Sequence, residues 1–195
     1  MQYSDMAPAR ARNAAATRHS ILVAATRRFL QDSYECVGLR DIAGDVGVDV
    51  ALVSRYFGSK EELFREVLRG EREDKLPLDG DARDLPARLA AIVLETDSEN
   101  EREHVERLMI ILRSASSPKA AEIVRDALRH DILEPFAELI QGRNPALRAS
   151  FIMAVFMGIT MVRTVMQVGP LCDADRDIVR VKVKQLFEAA LSEAS

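Results

Sequence analysis

Cysteine occurs only twice, at Cys36 and Cys172, too rarely for a disulfide scaffold and without the paired spacing of a zinc or redox motif. Two isolated thiols read as small apolar fillers in a reducing compartment. Histidine is equally sparse. His19, His104 and His130 are scattered, and no glycine-rich phosphate loop, nucleophile elbow or HExxH helix accompanies them. The HVE at 104–106 reads as surface. That pattern points away from an enzyme, names no catalytic residue and calls for neither a metal nor another cofactor. No run of about 18 apolar residues lacks a charge, and no charged head precedes an apolar core at the N-terminus. The expectation is therefore no membrane span, no secretory signal and a cytoplasmic location. Glycine (9) and proline (7) are few among 195 residues, of which 48% are hydrophobic, enough to bury one sizeable core or two abutting ones.

A basic excess is lacking as well, since the formal net charge is −4. Taken whole, such a chain repels a polyanion. The charge is unevenly divided, however: residues 1–60 hold 8 Lys or Arg against 6 Asp or Glu (+2), leaving 19 against 25 (−6) for the remainder. The basic half is the half with the most informative stretch.

That stretch is Gly38 to Leu63, GLRDIAGDVGVDVALVSRYFGSKEEL. Leu39, Ile42, Ala43 and Val46 form one apolar face, and Gly47 stops the helix where the chain must turn. Asp49 is placed to cap a second helix, whose Val53, Tyr56 and Phe57 return an apolar stripe to the first. The small Ala43 suits a close crossing. Asp49, Val50, Ala51, Leu52, Ser54 and Arg55 are left facing outward. A plain helical hairpin has the same period, but turn chemistry, apolar register and flanking basic residues agree on a helix-turn-helix.

Around it, residues 1–16 read as a flexible arm with Pro8, Arg10 and Arg12. Thr17 is expected to cap a helix reaching about Gln31, with Ile21, Leu22, Ala25, Phe29 and Leu30 inward. Ser59 and Glu62 have capping-box spacing before a fourth helix. Gly70, Pro77, Gly80 and Pro86 mark a boundary, so residues 17–69 form one domain and 70–195 another.

Beyond the boundary the period is helical throughout. Pro135 predicts a kink or split near 130–134 in the segment from Lys119 to Leu139. Asn144-Pro145 opens a helix expected to run to about Val168, where Gly169-Pro170 ends it. The last helix, from about Asp173, carries Val179, Val183, Leu186, Phe187 and Ala190 as a stripe. The long helix is apolar around too much of its circumference for one buried face. Pairing the last two helices with their copies in a homodimer would cover it.

Through TRHSILVAATRRFL, LRDIAGDVGV and VSRYFGSKEELF, Thr17 to Leu68 resembles the N-terminal domain of the TetR family of transcriptional regulators. A weaker similarity, in SPKAAEIVRDALRHDILEPFAELI, is to the effector domains of a subgroup. The resemblance implies an all-α fold of about nine helices and a homodimer on palindromic double-stranded DNA. It also implies repression relieved by a small apolar or amphipathic effector. It makes Val50, Ala51 and Ser54 candidates for base-edge contact, with Leu52 and Asp49 beside them. Val50, Ala51 and Leu52 can meet a thymine methyl but have no bidentate bond to give. Arg40 and Arg55 are the stronger donors, and Arg18, Tyr56 and Lys60 resemble phosphate clamps. Gly38 stands where many relatives place a Ser or Thr, and Asp49 and Val50 where a hydroxyl and a Lys are common. Effector contact is expected among His104, Met109, Arg113, Phe136, Phe156, Met157 and Arg163, with filled core as the competing reading. From another class, the rival is a helical hydrophobe carrier of the same fold that has lost DNA binding.

Overall fold

The computed structural model describes residues 6–70, 81–94 and 99–193, and among these every regular element is helical. The chain divides into two compact units, residues 1–70 with 109–124 and residues 71–108 with 125–195.

In the first unit, α1 (Met6–Gln31), α2 (Leu39–Val46), α3 (Val50–Phe57) and α4 (Lys60–Arg69) surround a core of Ile21, Phe29, Ile42, Val53, Leu63 and Phe64. Phe29, Tyr34 and Phe64 meet ring to ring, with centroids 4.8 to 6.1 Å apart. The helix begins at Met6, not Thr17. Residues 6–16 are its first turns, where Pro8 costs no amide bond and the following alanines and arginines favour helix. Thr17 therefore sits inside the helix, its hydroxyl donating to the carbonyl of Asn13 at 2.8 Å. The rest of the expected arm lies outside the described residues. The second half of α6 (Glu99–Ser114) and most of α7 (Pro118–Leu128) also belong to this unit, which the proline- and glycine-marked boundary at residue 70 did not anticipate.

The second unit packs α5 (Leu85–Val93), α8 (Glu134–Leu139), α9 (Pro145–Ile159) and α11 (Arg176–Leu191) around Leu89, Phe136, Ile152, Val183 and Phe187. Pro135 has the expected effect. Residues Arg129–Leu133 widen into a π-helical turn, in which the amide of Glu134 reaches the carbonyl of Arg129, five residues back. That widening separates α7 from α8 and places Pro135 in the first turn of α8, where its missing amide is harmless.

Three boundaries differ from expectation. α9 starts at Pro145 as predicted but passes into a second π-helical segment, Thr160–Val165, and ends there; Gln167 takes a positive φ of 50°. Gly169–Cys172 forms a short helix of its own, α10, with Pro170 in its opening turn, so Gly169-Pro170 begins an element where it was expected to end one. α11 starts at Arg176, because Asp175 accepts the amides of Asp177 and Ile178. Within α11, Leu186 is half exposed and lies outside the buried stripe. Both cysteines are exposed, so neither fills the core.

Candidate nucleic-acid interface

The helix-turn-helix is held by local chemistry. Gly47 adopts φ 73°, ψ 32°, and its amide reaches back to the carbonyls of Ala43 and Gly44. Asp49 caps α3 by accepting the amide of Ala51 at 2.7 Å. Ser59 accepts the amide of Glu62 at 3.2 Å, but the Glu62 carboxylate turns to Arg65, leaving only one half of the expected capping box. At α2 the cap is inverted. The carboxylate of Asp41 accepts the amide of Gly38 at 3.1 Å, and a Cβ on residue 38 would lie 2.8 Å from that oxygen. A Ser or Thr there would require that carboxylate oxygen to shift.

The buried side of α3 is Val53 and Phe57, and Ala43 of α2 is buried as expected. Asp49, Ala51, Ser54 and Arg55 are exposed, while Val50, Leu52 and Tyr56 are half-buried. Four of the six residues expected to face outward are therefore exposed, Val50 and Leu52 are only partly so, and Tyr56, expected in the inward stripe, is half-buried.

The basic residues separate into two sets. Arg40 and Arg55 are exposed and make no ion pair among the described residues. Arg18 is engaged within the fold, with its guanidinium 2.9 Å from Glu66 and stacked 4.7 Å above the Phe57 ring. It thereby ties α1 to the ends of α3 and α4. The Lys60 ammonium lies 4.2 Å from the Tyr34 ring centre, and burial lowers its pKa despite the nearby Glu35 and Glu61 carboxylates. Burial, reinforced by Glu61 and Glu35, also pushes the Tyr34 phenol up to about 12. Arg18 and Lys60 are thus supports of the reading pair in this structure, a role their sequence positions did not reveal.

Sequence reading also missed two sets of contacts. Arg28 makes a two-pronged bond to Asp45, both contacts 2.6 Å, and joins α1 to α2; its hydrogen bond holds the Asp45 carboxyl below the usual carboxylate range. At the start of α7, Lys119 bonds to Glu61 and Ser117 to Glu35, and the Lys119 contact leads in pulling the Glu61 carboxyl down to about 2. These partners are 17 to 82 residues apart, and no sequence spacing announces them.

The expected effector residues do not fall in one unit. Met109 and Arg113 belong to the first, with Arg113 exposed. His104, Phe136, Phe156, Met157 and Arg163 belong to the second. There Phe136 is 3% exposed and part of the core, while His104 meets Phe156 edge-on at 5.7 Å. Met157 and Arg163 are half-buried. Among the described residues, no group of three or more His, Cys, Asp or Glu is arranged to hold a metal ion.

The family model described as "Bacterial regulatory proteins, tetR family" matches residues 21–67, and "Tetracyclin repressor-like, C-terminal domain" matches residues 84–191. The chain belongs to the TetR family. Comparison with curated proteins finds no match. Among solved structures, NalD of Pseudomonas aeruginosa, the secondary repressor of the MexAB-OprM multidrug efflux pump, is 21% identical with a TM-score of 0.63, covering 92% of this chain and 95% of its own. SmeT, solved as a complex with triclosan, is 20% identical with a TM-score of 0.58, covering 90% and 91%. An HlyIIR mutant is 16% identical with a TM-score of 0.58, covering 93% and 98%. These likenesses support the fold. The TetR assignment makes the chain a helix-turn-helix transcriptional regulator, and its two matched regions correspond to a DNA-binding part and a C-terminal part.

Proposed function

We propose that this TetR-family chain is a repressor that binds palindromic operator DNA as a homodimer and is released by a small apolar or amphipathic effector. The observation that carries the reading is the outward face of α3. Ala51, Ser54 and Arg55 are exposed, beside an equally exposed Arg40, and both arginines are uncommitted to any carboxylate among the described residues. A short helix with a solvent-facing tip and free guanidinium groups at its border is suited to enter a major groove. In this reading Arg40 and Arg55 supply the donors, Asp49 sets the helix start, and Tyr56 lies toward the phosphates.

The dimer is supported by surface left uncovered. α9 and its π-helical extension, Pro145–Val165, have the length and composition of a membrane span, yet only 17% of the apolar window is buried. Arg148 in its first turn bonds to the carbonyls of Gln141 and Leu191, fastening the helix to its own bundle. A second copy is the occupant that brings two reading helices to one duplex, about one helical turn apart.

Release by an effector requires only that the ligand bind the DNA-incompetent arrangement more tightly than the competent one. SmeT is a relative solved with a small aromatic ligand, triclosan. In this chain the His104–Phe156 pair is the starting point for effector contact, with Met157 and Arg163 as further candidates.

Footprinting on the DNA upstream of the chain's own gene tests the function. The expected result is a protected site with dyad symmetry. A duplex left unprotected at micromolar protein would favour a hydrophobe carrier of the same fold.

A further inference from the structure

We propose that, beside the base contact offered by Arg40, the operator is selected through the C5 methyl groups of thymines, met by Ala51 with Val50 and Leu52 on either side. This rests on the reading of α3 as the helix that contacts bases. Starting from the buried pair Val53 and Phe57, the helical period turns Ala51, Ser54 and Arg55 to the far side and sets Val50 and Leu52 at its two edges. The Ala51 methyl is therefore at the middle of the exposed tip.

Within the first five residues of α3 the exposed Ser54 hydroxyl is the one side-chain group able to donate to a base edge. Asp49 is the one carboxylate between residues 49 and 57, and it is turned back onto the amide of Ala51. No Asn, Gln or Lys occurs in that stretch, and the free guanidinium groups of Arg40 and Arg55 stand on α2 and one turn further along α3. The centre of the surface is thus apolar, bordered by charge. Of the four bases, only thymine offers an apolar group to the major groove. Against it, methyl meets methyl and both leave water. Against any other edge, the Val50, Ala51 and Leu52 side chains strip water from donors and acceptors and return no bond. Discrimination then comes from the penalty at the wrong base as much as from the gain at the right one.

One consequence separates methyl recognition from hydrogen-bond reading. A 5-methylcytosine presents its methyl at the same place in the groove as thymine, so the tip treats it as thymine-like.

The test begins with selection of duplexes from a random library by the full-length chain. Each thymine of the recovered half-site is then replaced singly by uracil, which keeps every hydrogen-bonding group and removes only the methyl. At one or more positions per half-site, uracil is expected to weaken binding about fourfold, the effect of burying one such carbon. At the same positions, a 5-methylcytosine·G pair is expected to bind more tightly than an unmodified C·G pair. Val50→Ala and Ala51→Gly, with thermal unfolding followed in parallel, should bring the thymine-to-uracil ratio toward one. Equal affinity for thymine and uracil at every position overturns the proposal while leaving sequence-specific binding intact. A library from which no duplex is recovered overturns instead the assignment of α3 as the reading helix.

Discussion

Whether a cation is already engaged inside the fold decides what it can offer a phosphate. Arg18 lies between Glu66 and the Phe57 ring, whereas Arg40 has neither kind of partner among the described residues. Gel-shift titrations over a range of salt should separate them. Arg40→Ala is expected to weaken operator binding by about 1–3 kcal/mol, the cost of a good base contact. Arg18→Ala should leave the salt slope unchanged, since no released counterion is attributed to it, and should lower stability by about 1 kcal/mol through its lost ion pair and ring contact. A flattened slope for Arg18→Ala would return that residue to the phosphates. Glu61 makes a prediction in pH. Its carboxyl is drawn from the ordinary 4.5 to about 2, chiefly by the Lys119 hydrogen bond. A folded pKa below the unfolded one gives stability that is complete above about 4.5 and drains away as pH falls toward 2. The Tm difference between the native chain and Lys119→Met should accordingly shrink across that window. A difference independent of pH would show that the contact is not ionic.

At the scale of the element, caps were the legible part. Gly47, Asp49, Ser59 and Asn144-Pro145 all mark ends that the structure places where they were expected, because a cap joins residues two to four positions apart and its chemistry is written locally. Asp49→Ala should cost about 1 kcal/mol in chemical denaturation, and Asp49→Asn should restore most of it, since either side chain accepts the Ala51 amide. An alanine variant as stable as the native chain would leave Asp49 free for a role at the DNA. The start of α1 was less legible. Pro8 and a run of small residues resemble an arm, yet a proline in the first turn is also how a helix begins. The inverted cap at Gly38 could have been anticipated from Asp41 three residues on, the spacing of a capping box with its first member missing. The Arg28–Asp45 and Lys119–Glu61 contacts had no such signal, since helix crossings set them and one chain's periodicity does not reveal which helices cross. The effector candidates divide between the two units for a related reason: apolar character names a face, but which unit that face joins depends on packing.

For the whole molecule, the deciding quantity is apolar surface that a single copy leaves in water. Along α9 and its extension, Leu147, Phe151, Ala154, Gly158 and Val162 follow one another at three- and four-residue steps on an exposed face, with Leu147 and Phe151 each more than half exposed. Ile178 and Val181 form a second exposed apolar strip on α11, against which α9 packs. Alternation of bulky Leu147 and Phe151 with small Ala154 and Gly158 lets two such helices approach closely, because a side chain from one copy can sit over a small residue of the other. Scattered apolar residues need no partner, whereas a stripe of this length beside a second apolar pair is the surface the proposed homodimer would cover. A charge placed in the middle of that surface is costly only when the surface is covered. Phe151→Glu should therefore leave the helical content and the unfolding of one copy near native while shifting sedimentation from dimer to monomer at micromolar concentration. Operator binding should fall with it, more for a full palindrome than for an isolated half-site, since the second reading helix is no longer held to the first. A Phe151→Glu chain that still sediments as a dimer would place the association surface elsewhere, and native protein that sediments only as a monomer would remove the twofold geometry from the mechanism.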